Sequence, residues 1–305
     1  MGLNRALAIA GALLALLAVA GCGLGPGEGL DPVRLTVTHD YGRELVLAEE
    51  VEDATEADTV MRVLEGAAEI GTKEGGRFVK AIDGVESASR GGRYFDWLFY
   101  VNGVESTVGA ADYPLRGGEA IWWDYRDWTS ALHVPAVVGS WPQPFRGGYE
   151  GRRHPVAVVC MGGGPACAAA RAALEREGVE IAAGTPAGAI RLLVGPWAQL
   201  RGDPAARQIE NGVEEGGVFA TFRGGGQPRL EGLGESGEVA RRFGPDAGLV
   251  AATRRFEAPP TWLVTGVTAA GVRAAASLLN EEKLRDHYAV AVESGEETPL
   301  PLPGR

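Results

Sequence analysis

Lysine is scarce in this chain: Lys73, Lys80 and Lys283 stand alone, and arginine supplies the other basic residues against 40 Asp and Glu. The formal net charge of -11 argues against nucleic acid and against anionic lipid headgroups as partners of the folded part. Histidine is scarce as well. His39, His133, His154 and His287 are scattered, and none has the spacing of a metal-binding pair. Cysteine stops at Cys22, Cys160 and Cys167, too few and too far from paired histidines for a zinc site. No Gly-x-Ser-x-Gly elbow occurs, and the acidic pairs Glu49/Glu50, Glu214/Glu215 and Glu281/Glu282 fall at turn-like or helix-start positions where solvation explains them. A non-catalytic protein is expected.

Long apolar runs are missing too, with one exception. Residues 6 to 20 form an apolar stretch too short to span a bilayer comfortably, and Val19-Ala20-Gly21-Cys22 closes it with small residues. That ending resembles the lipobox of bacterial lipoproteins, so residues 1–21 read as a signal peptide and Cys22 as the lipidated first residue. Several acyl chains hold a protein on a membrane where one is marginal. The expected location is the extracytoplasmic side of a cell membrane. Residues 22–32 are a Gly/Pro tether without periodicity.

From Val33 the alternation has period two, broken at Asp40 to Gly42, which predicts a hairpin. "DATEADTVMRVLEGAAEI" then places Val60, Val63, Leu64, Ala67 and Ile70 on one helical face, with Gly71 after the end. "GGRFVKAIDGVES", "YFDWLFYVNGVES" and "EAIWWDYRDW" follow as strands. Residues 33–132 are therefore expected to form an α+β domain, one helix on a mixed sheet, as in a β-grasp.

The segments "TVMRVLEGA", "GGRFVKAIDGV", "WLFYVNGV" and "VGAADYPLRGGEAIWWDY" resemble, in order and spacing, the bacterial family DUF4430, which is related to the C-terminal domain of transcobalamin. The family usually carries Asp where this chain has Glu119. The resemblance assigns no catalytic residue. It implies a corrinoid such as cobalamin, or a similar flat molecule, as a ligand class, with no certain cofactor.

Thirteen of the chain's 22 aromatic residues lie between residues 94 and 149, too many for one small core. Alternation puts Phe95, Trp97, Phe99 and Val101 on one face of their strand, and Tyr94, Asp96, Leu98, Tyr100 and Asn102 on the other. Ile121, Trp123 and Tyr125 likewise oppose Ala120, Trp122, Asp124 and Arg126. The first face reads as core. The second has three readings: packed against the rest of the chain under "VPAVVGSWPQPF", an open platform for a planar ligand, or a protein-docking surface. On the platform reading Tyr94, Asp96, Tyr100, Asn102, Trp122 and Asp124 bind the ligand. Asn102-Gly103 also reads as a plain hairpin turn.

Residues 133–154 mix Pro, Gly and aromatics and read as the linker between domains. Beyond it, "PVAVVC-MGGGP-ACAAARAALEREG", "AIRLLVG-PW-AQLRGDPAARQIENG" and "PTWLVTG-VTA-AGVRAAASLLNEEKL" each read strand, loop, helix. Residues 155–293 are expected to be a layered α/β domain. Open α/β sheets bind ligands at the carboxyl ends of their strands, which points to Gly162, Gly163, Gly164, Trp197, Thr265 and Thr268. Cys160 and Cys167 can reach disulfide separation, and the compartment favours oxidation. Residues 294–305, acidic and then Pro-rich, read as a disordered tail. The whole reads as a lipid-anchored binding protein serving a membrane transporter, or as an adaptor docking an envelope protein.

Overall fold

The computed structural model describes residues 27–224 and 228–304, so Cys22 and the expected signal peptide lie outside the described residues. Among the described residues no helix is long and apolar enough to cross a membrane. The chain is mixed α/β, mostly sheet.

The first half builds strands β1 (Val33–His39) and β2 (Glu44–Val51), helix α1 (Val60–Ala67), a small antiparallel sheet β3 (Ile70–Lys73), β4 (Phe78–Ile82) and β5 (Val85–Glu86), then β6 (Ala88–Arg90), β7 (Arg93–Val101), β8 (Val104–Glu105) and β9 (Ala120–Asp127). The main sheet runs β2-β1-β9-β7-β6, with β8 beside β7. β1 and β9 are parallel, whereas β1 meets β2 and β9 meets β7 antiparallel. Thr59 caps α1 by accepting from the Arg62 amide at 3.3 Å, and Val60, Met61, Val63 and Leu64 go into the core. The helix stops a turn earlier than its sequence pattern suggests. Ala68 is extended, and Ile70, which continues the apolar stripe, instead opens β3 opposite Ile82.

The second half builds β10 (Val156–Cys160), α2 (Pro165–Arg176), β11 (Ile190–Pro196), β12 (Ala220–Arg223), β13 (Arg229–Leu233), β14 (Val239–Arg242), β15 (Gly248–Thr253), β16 (Thr261–Gly266), α3 (Ala269–Ala276), β17 (Ala289–Glu293) and β18 (Glu296–Leu300). Its main sheet runs β10-β11-β16-β15-β17-β18, parallel across β10, β11 and β16 and antiparallel beyond. α2 and α3 pack with Val158, Leu192, Val250, Trp262 and Val290 in one apolar cluster. No single helix follows β11; short turns at 197–200, 204–207 and 213–216 take its place.

Two expectations for loops are corrected. Residues 296–300 of the expected disordered tail form β18, the sheet's edge strand; its Pro299 lies opposite Val290, and a proline is tolerated where one side of a strand needs no donor. The expected linker is a packed wedge. Trp141, Phe145 and Tyr149 enter the core cluster around Trp262, while Val134 and Val137 join a second cluster that includes Tyr100, Trp122, Leu193, Ala251 and Tyr288. That second cluster takes residues from both halves.

Candidate functional site

Strand β7 carries large side chains on both faces, and the two faces end differently. Trp97, Val101, Ile121, Trp123 and Tyr125 fill the core under α1, with Phe95 and Phe99 half-buried against it. On the other face Tyr100, Trp122 and Asp124 are closed over by Tyr288 of the second half and by Tyr41, with ring centroids 5.3 to 5.8 Å apart where they meet Tyr288.

Asp124 is the hub of this closure. Its carboxylate accepts from Thr38 Oγ1 at 2.6 Å, the Tyr41 amide at 3.0 Å, the Gly42 amide at 3.1 Å and Tyr288 Oη at 2.9 Å. Burial pushes the carboxyl upward and these donors pull it back. Arg126, two residues along and fully buried, donates through Nη1 to the Ala131 and Asp127 carbonyls, and its guanidinium lies 5.9 Å from the Tyr41 ring. Burial drives Tyr100 up to about 12, so its hydroxyl stays neutral. The Trp122 indole donates to Thr38 Oγ1 at 2.8 Å. Asn102 does more than turn the chain: at φ +54° it accepts from the Ala120 amide at 2.9 Å and donates to the Gly148 carbonyl at 2.9 Å.

Tyr100, Asn102, Trp122 and Asp124 therefore offer no surface to a ligand, and the open-platform expectation is corrected for these four. The covering group comes from Tyr288, 164 residues from Asp124 in sequence.

The opening lies instead at the outer edge of β7. β6 and β8 both pair with that edge, through the two-residue turns Gly91-Gly92 and Asn102-Gly103, but β6 stops opposite Phe95 and β8 begins opposite Tyr100. Closing pairs at such turns are hydrogen-bonded, so Phe95, Trp97, Phe99 and Val101 turn their backbone groups outward. The Trp97 amide is met by its neighbour's Asp96 carboxylate at 3.0 Å; the Phe99 amide has no partner among the described residues. A groove of about 460 Å³ crosses this gap from one face to the other, walled by Phe78, Trp97, Phe99, Val108, Trp128 and Leu132. Phe78, Val108 and Leu132 are 49%, 46% and 55% exposed, three of the eight large apolar side chains that stand out among the described residues. Isolated exposed apolar groups need no explanation, but several around one cavity mark a binding surface. Lys73 with Asp96 at 3.6 Å and Arg77 with Asp112 at 2.8 Å form its charged rim.

Of the six residues expected to bind a planar ligand, one lines this groove and one packs behind its wall. Asp96 lines it, held by Ser87 Oγ at 2.6 Å, and Tyr94 stacks on Trp128 with centroids 5.3 Å apart. Val108 and Leu132 escape sequence reasoning because an apolar residue in a loop carries no periodic signal, and Phe78, at the start of β4, reads as part of a strand with nothing to mark its side chain as exposed.

The strand-end candidates of the second half also divide. Gly162, Gly163 and Gly164 form a loop with φ of 87°, 65° and 90°, bridged by a Cys160–Cys167 disulfide whose Cα atoms are 5.8 Å apart. Gly162 and Gly163 line a cavity of about 200 Å³ with Gln199 and Arg273. The other three are structural. Trp197 is buried on Phe222 and donates to Glu210 at 3.1 Å, Thr265 donates to the Gly195 carbonyl at 2.9 Å, and Thr268 caps α3. Glu119 closes its own turn by accepting from the Arg116 amide at 3.0 Å and Tyr113 Oη at 3.1 Å. Among the described residues no group of three His, Cys, Asp or Glu is placed to hold a metal ion.

No curated protein matches the chain. Among solved structures, that of a candidate metal binding protein from Ruminococcus gnavus ATCC 29149 is similar at 20% identity and a TM-score of 0.25, covering 32% of this chain and 97% of that one. A likeness of that strength carries no functional conclusion. Residues 57–127, which span α1 to β9 and hold most of the groove, match the family model described as "Domain of unknown function (DUF4430)".

Proposed function

We infer that this is a lipid-anchored, extracytoplasmic, non-catalytic binding protein whose β7 groove captures a flat, partly apolar ligand and presents it to a membrane transporter. On this reading residues 33–132 are a β-grasp-like domain, residues from 155 onward a layered α/β domain, and the Cys22 lipid the anchor. The observation that carries it is the groove: about 460 Å³, walled by apolar side chains from both faces of β7 and open to solvent. Ligand sites are concave and mostly apolar, with a few polar groups that fix orientation, and here Asp96, Lys73 and the outward Phe99 amide supply them. A corrinoid is larger than the groove and would be held by one edge.

Trp97, Trp123 and Trp128 line the groove and report on its occupancy. Cobalamin titrated into the tag-free ectodomain is expected to quench Trp emission saturably, and Val108→Asp with Leu132→Asp to abolish the quench while leaving the melting temperature unchanged. A titration without saturable quenching, or one that survives the double substitution, overturns the reading. The adaptor reading rests on the same exposed Phe78, Val108 and Leu132, which suit a protein partner equally well. A groove-dependent partner in the absence of any cobalamin response decides for it.

A further inference from the structure

β2 is an unprotected edge. It sits at the end of the main sheet with β1 as its sole partner among the described residues, and it is exposed on both faces through most of its length. At about 3.3 Å per residue its eight residues offer an outer edge of roughly 26 Å. The two halves of that edge differ in chemistry. Leu45 and Val46 are 61% and 40% exposed, whereas Glu49, Glu50, Glu52 and Asp53 follow at the far end. None of these four carboxylates has a cation within ion-pair distance among the described residues. A cavity of about 470 Å³ opens between them and α1, where Arg62 is the single basic group on its wall among the described residues.

We propose that the outer edge of β2 docks an extended, basic polypeptide segment, which adds to the sheet as a further strand and sets its cations over the acidic end. The backbone supplies affinity through ladder hydrogen bonds, and side chains supply choice: small apolar groups meet Leu45 and Val46, and Lys or Arg meets Glu49, Glu52 and Asp53. Charge selects this occupant over a second copy. Pairing two β2 edges brings together two chains of net charge -11, each with its acidic end unneutralised, while a basic strand gains on approach. The register skip that leaves Val46 unpaired with β1 bends the edge, and bulges and like charges are the devices that keep identical edges apart. Both devices leave a strand of opposite charge free to bind.

The test uses the whole chain in detergent and an eight-residue peptide alternating Lys with Val. Two controls accompany it, the same peptide N-methylated at alternate amides and a Glu-for-Lys counterpart, with hydrogen exchange as the readout. The Lys peptide is expected to slow exchange across residues 45–51, with affinity falling about tenfold or more from roughly 50 to 200 mM salt. Glu49→Lys with Glu52→Lys and Asp53→Lys, all at exposed positions, is expected to lose binding about tenfold without a change in melting temperature. Unchanged exchange in β2 overturns the proposal, as does equal protection by the N-methylated or the Glu peptide. Protection that rises with protein concentration alone overturns it in favour of self-association.

Discussion

The two ends of β7 make the most informative comparison in this protein. Near Tyr100 the strand has a second sheet over it, and Asp124 on that face accepts from Tyr288 of the second half; four residues earlier, at Asp96, the same face meets solvent beside a groove. The sequence pattern is the same at both ends, large rings alternating on both faces. What separates them is reach. The loop carrying Tyr288 covers Trp122 and Tyr100, and the gap between β6 and β8 leaves the outer edge at Trp97 and Phe99 unpaired. Aromatic density alone therefore does not distinguish a core from a site; the pairing of the backbone beside it does.

The closed end should be the costlier to disturb. Asp124→Ala strands Thr38 Oγ1, the Tyr41 and Gly42 amides and Tyr288 Oη in a dry interface, and each buried donor left without its acceptor costs about 1–3 kcal/mol. Urea unfolding should register this as a large fall in midpoint. An unchanged midpoint would mean that the two halves are not joined through this hub.

Asp286 sharpens the comparison by pH. It lies under the same interface, and burial pushes its carboxyl up to about 6, with Arg285 and Arg34 opposing and Asp124 and Glu281 adding to the rise. Because the folded value lies above the ordinary aspartate range, the group's contribution is fully present at acid pH and is lost as pH rises through about 6. Its loss is worth up to about 3 kcal/mol before discounting for partial exposure. Asp286→Asn should flatten stability between about pH 4 and 7. A wild-type slope retained in the variant assigns it to other groups.

At the open end substitutions should act on binding and hardly on stability. Leu132→Asp, at a side chain 55% exposed, is expected to stay within about 0.5 kcal/mol of the parent in the same urea experiment. A loss of several kcal/mol would make that wall part of the core.

The comparison also marks what could be read from sequence. The assignment of Trp97 and Trp123 to one face and Tyr100 and Trp122 to the other follows from period two, and the structure places them in separate clusters. What covers the second face could not be read, because Tyr288 meets Asp124 across 164 residues and local periodicity carries no such pairing. β18 was hidden for a different reason: Pro299 and Pro301 resemble a disordered tail, and an edge strand is one of the few sheet positions that accepts proline. The groove was legible only in part. Asp96 and Trp97 lie in a recognisable strand, while Val108 and Leu132 come from loops, where an apolar residue has no periodic neighbours to declare its face.

The contrast between a closed face and an open edge is tested most directly by amide exchange of the ligand-free ectodomain, residue by residue along β7. Leu98 and Tyr100 point their amides at β9 and should exchange slowly, whereas the outward Phe99 amide should exchange at least about a hundredfold faster. Equal protection of all three would contradict the account, since it would place a paired strand where the groove is drawn.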